Sequence, residues 1–182
     1  MKKLLFTAVA MGLSVLSQAQ QFEPKDAGSS VVFKIKNFGL MVDGTFTGLN
    51  GKIIFNPNDL NTSLFDVTLN TNTISTGIDL RDNHLRKPDY FDTQNYPGIR
   101  FTSTKIENTK TPGKYLVTGN LTIKQKTKEI KFPFTALPQA GNYLFTGGFQ
   151  INRRDFKVGG GSISLADELT IDLKVFAKAV KI

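Results

Sequence analysis

Lys114-Tyr115-Leu116-Val117-Thr118-Gly119-Asn120-Leu121-Thr122-Ile123-Lys124 decides the fold class. Tyr115, Val117, Gly119, Leu121 and Ile123 alternate with Lys114, Thr118, Asn120, Thr122 and Lys124, a period of two that gathers the apolar side chains on one face of an extended strand. The same alternation recurs in both directions along the chain. Val31, Phe33 and Ile35 alternate with Val32, Lys34 and Lys36, and Phe65, Val67 and Leu69 with Asp66, Thr68 and Asn70. Ile130, Phe132 and Phe134 face away from Glu129 and Lys131, and Leu169, Ile171, Leu173 and Val175 from Thr170, Asp172 and Lys174. Further strands fit residues 41–48, 51–56, 99–107 and 143–151, which makes nine strand segments. Asn56-Pro57-Asn58-Asp59, Thr111-Pro112-Gly113 and Gln139-Ala140-Gly141-Asn142 separate them as turns.

One dry and one wet face on nearly every strand is tolerated by antiparallel sheets and not by parallel ones. A sandwich and a closed barrel both satisfy the period. Runs of ten residues, longer than the usual ~5–6, point to the barrel, and Gly44, Gly48, Gly119, Gly147 and Gly148 could mark the bends that closure needs. The expectation is an all-β, antiparallel, closed barrel of about eight strands with one short helix. That helix begins near Ser75-Thr76-Gly77-Ile78-Asp79, with Thr76 as its cap, and runs to about Arg86 before Pro88. Asp82 precedes Arg86 by four residues, a spacing that favours an ion pair. An aromatic loop follows, Asp89-Tyr90-Phe91-Asp92 and then Tyr96-Pro97-Gly98.

Lys2 and Lys3 precede a weakly polar run, Leu4 to Leu16, followed by Ser17-Gln18-Ala19. This reads as a signal peptide over 1–19 cleaved after Ala19, leaving one domain over 20–182 that is exported, periplasmic or secreted. The run is shorter than the ~20 residues of a spanning helix, and no later stretch reaches that length, so no transmembrane segment is expected. The chain has no Cys and one His, which excludes disulfide scaffolds, thiol nucleophiles, Cys-based zinc sites and thiolate-held clusters. The formal charge of +8 loses two lysines with the leader. Lysines scattered on outward strand positions form no stripe, and the phenylalanines fall on the inward face, so nucleic acid is not an expected partner.

Little in the sequence supports catalysis. His84 is the only available base for a serine, and no Gly-x-Ser-x-Gly elbow presents one. Asp79, Asp82, Asp89 and Asp92 cluster without metal-ligand spacing, so neither metal nor cofactor is expected. Gly159-Gly160-Gly161-Ser162 lacks the Lys of a phosphate loop and reads as a turn before the last strand. Arg153-Arg154-Asp155-Phe156 ends a strand, where one Arg facing inward either pairs with Asp155 or holds an anion. The 15 Phe, against 4 Tyr and no Trp, are the most informative feature. Phe33, Phe65, Phe101, Phe132, Phe134, Phe145 and Phe149 all fall on apolar strand faces, and an eight-strand interior can be a packed core or can hold one ligand.

Together these residues resemble the YceI-like family of exported polyisoprenoid-binding proteins with a lipocalin-like barrel. The likeness rests on Ser30-Val31-Val32-Phe33-Lys34-Ile35, Val42-Asp43-Gly44-Thr45-Phe46, Ile74-Ser75-Thr76-Gly77, Arg81-Asp82-Asn83-His84-Leu85, Asp89-Tyr90-Phe91-Asp92, Tyr96-Pro97, Gly119-Asn120-Leu121-Thr122-Ile123 and Arg153-Arg154-Asp155-Phe156, in that order. Ser29, Gln125 and Lys157 depart from the family pattern of His, Gly and Gly at those places. The resemblance implies a long apolar amphiphile inside the barrel: a polyisoprenoid, an isoprenoid quinone or a prenyl pyrophosphate. Its tail would lie among Phe33, Ile35, Phe65, Val67, Phe101, Val117, Phe132, Phe134 and Phe149, with Arg81, His84, Arg153 and Arg154 as candidates for the head group. The implied role is non-enzymatic storage or transport. Two alternatives are kept: an enzyme on a lipid-like substrate using His84 with Asp82 or Asp92, and a structural or interaction barrel using Tyr90, Phe91 and Tyr96. A homodimer stays open.

Overall fold

The computed structural model describes residues 20–180. The export segment expected over residues 1–19 lies outside the described residues. Eight antiparallel strands follow one another as neighbours: β1 (Gln21–Asn37), β2 (Leu40–Ile54), β3 (Leu64–Ser75), β4 (Gly98–Asn108), β5 (Lys114–Ile123), β6 (Lys126–Gln139), β7 (Asn142–Asn152) and β8 (Leu165–Ala179). β8 pairs back onto β1, from Phe22 opposite Ala179 to Asn37 opposite Leu165, so the barrel is closed. Nine expected segments become eight strands because 41–48 and 51–56 are one strand, with register shifts around Gly48 and Gly51, where φ is positive.

The meander leaves two unlike ends. At the upper end lie the β1–β2 turn, the long β3–β4 connection with helix α1 (Asp79–Leu85), the β5–β6 turn, and the β7–β8 connection. The lower end carries the other three connections and both ends of the described chain. α1 is capped at Ile78 and not, as expected, by Thr76. The relation is reversed: the Asp82 carboxylate, buried, accepts from the Thr76 backbone N–H and hydroxyl. The expected Asp82–Arg86 ion pair is therefore absent, and Arg86 donates to Asn72 O, Ile74 O and Asn83 Oδ1. Arg153–Phe156 forms a short 3-10 helix in place of a strand end.

The wall is irregular where β1 meets β2 and β8. Between Phe22 opposite Ile53 and Val31 opposite Phe46 the β1–β2 ladder is interrupted. The Asp26 carboxylate bridges the gap, accepting from the N–H groups of Gly48 and Leu49 at 2.9 Å each. On the outer face Arg100 donates twice to Asp66, at 2.8 and 2.7 Å, and holds that carboxyl below the usual carboxylate range.

Two glycines shape the interior. Gly44 lies opposite Phe33, and a Cβ there would fall on the Phe33 ring; a Cβ on Gly119 would sit 2.6 Å from Phe101 Cζ. Both rings can thus lie flat on the wall.

Gly44→Ala is expected to displace the Phe33 ring and cost about 1–3 kcal/mol in urea unfolding. Asp66→Asn should lower stability at neutral pH by less than about 1 kcal/mol, because the pair is largely solvated. A depressed carboxylate stabilises above its unfolded pKa and loses that contribution as pH falls through its folded value. The difference between wild type and Asp66→Asn should therefore vanish in acid.

Candidate functional site

Alternating strands point Val31, Phe33 and Ile35 of β1, and their counterparts on the other strands, into the barrel. Many are not packed away. Val67, Leu69, Ile99, Phe101, Phe149, Ile171 and Leu173 remain only partly buried, and each lines an interior void. Three voids of about 120, 130 and 70 Å³ follow one another from the upper end downward. The upper and middle share Phe46, Ile99, Ile123, Ile151 and Ile171; the middle and lower share Leu49, Val67, Phe101, Phe132, Leu173 and Val175. Each greatly exceeds the roughly 10–15 Å³ that admits one water, and its nearly all-apolar wall offers water few partners.

Of the residues the sequence suggests for a ligand tail, Phe33 and Ile35 line the upper void, Phe149 the middle, and Phe65 and Phe134 the lower. Val67, Phe101 and Phe132 line both middle and lower voids. Val117 is fully buried and lines none of the three. Phe46, Tyr90, Phe91, Phe156 and Val158 also line the upper void. Phe46 was legible from the face it shares with Val42 and Gly44, alternating with Asp43 and Thr45. Tyr90 and Phe91 lie in a loop without a period, and only folding turns them inward; Phe91 meets Phe46 edge to face at 5.4 Å.

The lower end is plugged by aromatic rings. Phe55 meets Tyr115, Tyr143 and Phe145 edge to face at 5.2–5.4 Å, and Phe65 meets Phe134 and Phe145 at 5.3 Å. These offset geometries suit the ring quadrupoles and leave no channel axis through the floor.

The upper end carries the polar groups. Arg153 and Arg81 line the upper void, but their hydrogen bonding differs. All five Arg153 donors are used within the fold: Nε on Ala166 O at 2.9 Å, Nη1 on Val158 O and Gly160 O at 2.9 Å, and Nη2 on Asp167 Oδ1 at 2.7 Å and Leu165 O at 3.4 Å. Its carboxylate partner is Asp167 and not Asp155, which the 3-10 turn leaves exposed. Arg81 donates through Nε to Thr76 Oγ1 at 2.7 Å and through Nη2 to Thr76 O at 2.8 Å, while its Nη1 bonds to none of the described residues. The Asp82–Thr76–Arg81 chain thus orients a half-buried guanidinium at the void with donors to spare.

His84 and Arg154 take no part in the wall. His84 is exposed and packs its ring on Tyr90 at 4.9 Å; Arg154 is exposed beside Asp167. No hydrogen bond joins His84 to Asp82 or Asp92; Asp92 accepts from Asn95 instead. Among the described residues no three carboxylate or imidazole groups come together as a metal site. Lys124, at φ +49°, donates to Pro88 O at 2.9 Å and Lys157 O at 3.2 Å, tying three upper connections together.

Relatives share this plan. A UPF0312 protein of Pectobacterium atrosepticum is 30% identical over 172 residues, covering 87% of this chain and 88% of the relative. The crystal structure of Burkholderia cenocepacia BcnA superposes with a TM-score of 0.80 at 27% identity, covering 85% of this chain and 99% of that one. A polyisoprenoid binding domain from Saccharophagus degradans, implicated in plant cell wall breakdown, matches with a TM-score of 0.68 at 15% identity over 90% of this chain and 100% of its own, a likeness of fold. The family model described as YceI-like domain matches residues 22–177, nearly the whole barrel, and the chain belongs to the YceI-like family.

Proposed function

We propose that this protein is a non-enzymatic, exported carrier or store for a long-chain isoprenoid or similar amphiphile, its tail lying along the barrel and its head at Arg81. The observation that carries this reading is the run of apolar voids from the upper end to the aromatic floor. On β8 alone the lining residues run from Leu165 to Val175. At ~3.3 Å per residue and ~40° of strand tilt, that is an axial length on the order of 25 Å. Several isoprene units fit such a length, and each methylene withdrawn from water contributes about 0.8 kcal/mol before ordering costs. The polyisoprenoid binding domain among the structural neighbours supports the same ligand class.

Solvent extraction and mass spectrometry of protein purified from its native host should recover an amphiphile of this class. Protein that is empty on extraction and also fails to take up added isoprenoids would overturn the reading. For added ligands, affinity should rise with chain length and level off once the tail spans about 25 Å.

Two pairs of variants separate wall from scaffold. Val67→Phe should weaken long ligands with little loss of stability, because it grows into a void. Val117→Phe should cost about 1–3 kcal/mol of stability, having no void to enter. Arg81→Gln should lose about 1.5–3 kcal/mol of affinity for a prenyl pyrophosphate and less for a quinone of equal tail, with a smaller loss of stability than Arg153→Gln because it gives up two hydrogen bonds and not five. Arg153→Gln should lose at least about 2 kcal/mol of stability and discriminate between neither head group. Titration calorimetry and denaturant unfolding on the same preparations read both quantities.

A further inference from the structure

The upper end has a second property that ligand binding inside the barrel does not explain. Seven large hydrophobic residues among those described are exposed: Phe38, Leu40, Met41, Ile78, Leu80, Ile163 and Leu137. All but Leu137 belong to the upper end. Phe38, Leu80 and Ile163 are 79%, 83% and 109% exposed, so they bury almost nothing within the fold. The Phe38 N–H donates to Ser164 O at 2.8 Å, which brings the β1–β2 turn beside the β7–β8 connection and Phe38 close to Ile163. Ile78 caps α1 and Leu80 stands on it, and Arg81 and Leu85 of the same helix line the upper void. The exposed side chains therefore flank the void on two sides, continuous with its wall at Asn37, Thr76 and Leu165.

Phe38 is the least explicable by folding. It occupies the first position of a two-residue turn at φ +49°, with Gly39 next at φ +77°, between Asn37 and its partner Leu40. Asn or Gly is favoured there, and a bulky residue at positive φ is an outlier. An aromatic ring in a disfavoured conformation and in water helps neither the turn nor the core, so its place is to be explained by something outside the chain.

We infer that the upper end docks on an anionic lipid bilayer, with Phe38, Leu40, Met41, Ile78, Leu80 and Ile163 seated among the acyl chains. Charge agrees with this orientation. The four upper connections carry seven Lys and Arg against five Asp, whereas the three lower ones hold one Lys and one Asp. Arg81, Arg86, Arg153 and Lys124 are bonded within the fold, which leaves Lys36, Lys87, Arg154 and Lys157 exposed at this end beside the exposed Asp79, Asp89 and Asp155, an excess of one cation. Apolar side chains flanked by Lys and Arg are the pattern of interfacial membrane binding. Docking puts the mouth of the barrel against the phase in which an insoluble tail resides, so that transfer needs no passage through water. This inference rests on the carrier reading for its purpose, but not for its test.

The test is co-sedimentation of the full chain with vesicles of phosphatidylcholine alone and of phosphatidylcholine mixed with phosphatidylglycerol. Variants are compared on the same chain, so that any contribution of residues 1–19 cancels. Wild type should bind the mixed vesicles more tightly, by a margin that shrinks with salt, and Leu80→Glu and Ile163→Asp should each weaken binding at least about tenfold. Phe38→Asn should weaken binding while leaving unfolding midpoints equal or higher, because Asn suits the turn. Leu137→Glu, at the lower end, should change nothing. Binding that is insensitive to the upper-end variants, or none at all, overturns the inference. So does an upper-end-dependent dimer in sedimentation velocity without vesicle binding, since a second copy would then cover the patch. Isoprenoid uptake from detergent without vesicle binding removes the docking and spares the carrier; vesicle binding by a protein that takes up no isoprenoid does the reverse.

Discussion

The ladder between β1 and β8 is the constraint on which the molecule depends. It joins the first and last strands and removes both sheet edges, so every strand has two neighbours. Closure with eight strands also fixes the radius, at a size where side chains can just fill the interior or leave room for one ligand. The wall tolerates the gap in the β1–β2 ladder because the Asp26 carboxylate takes the place of the missing ladder acceptors at Gly48 and Leu49.

At that radius the use of the phenylalanines decides whether the barrel is filled. Those at the lower end converge edge to face and close the floor. Higher up, Gly44 and Gly119 allow Phe33 and Phe101 to lie against the wall, leaving the axis free. The same residue type therefore makes a plug at one level and a lining at another. The difference lies in what each ring meets: Gly44 and Gly119 lie beneath Phe33 and Phe101, whereas Phe55, Phe65, Phe134 and Phe145 meet one another. The lining residues keep apolar surface unburied, which an apolar ligand is able to cover.

The mouth divides its charged groups in the same way. Arg153 is spent on five acceptors and holds the β7–β8 connection against the start of β8, while Lys124 ties that connection to the β5–β6 turn and to the loop after α1. These cations are structural because their donors are satisfied within the fold, by backbone carbonyls and, for Arg153, also by the Asp167 carboxylate. Arg81 is oriented by the Asp82–Thr76 pair and keeps an Nη1 that bonds to none of the described residues. Lys157 stands at the left-handed residue closing the 3-10 turn, a conformation that Gly adopts more readily.

The alternation around Val117 and Phe132, and its recurrence from Val31 to Val175, determined strands, faces and class, because a period of two is local and survives any tertiary arrangement. The inward set followed from it, Phe33, Phe101 and Phe149 included. Where the period failed, so did the reading. Gly48 and Gly51 looked like a break between two strands and are a bulge within one, since the partner strand, not the sequence, decides whether pairing continues. Thr76 and Asp82 exchanged the roles of cap and capped. Arg153 found Asp167, fourteen residues away, and not its neighbour Asp155. Val117 and Val67 share one pattern, yet one is packed and the other borders a void. Sequence periodicity assigns a side chain to a face; only the closed barrel settles how much space remains on that face, because volume is set by residues brought together from all eight strands.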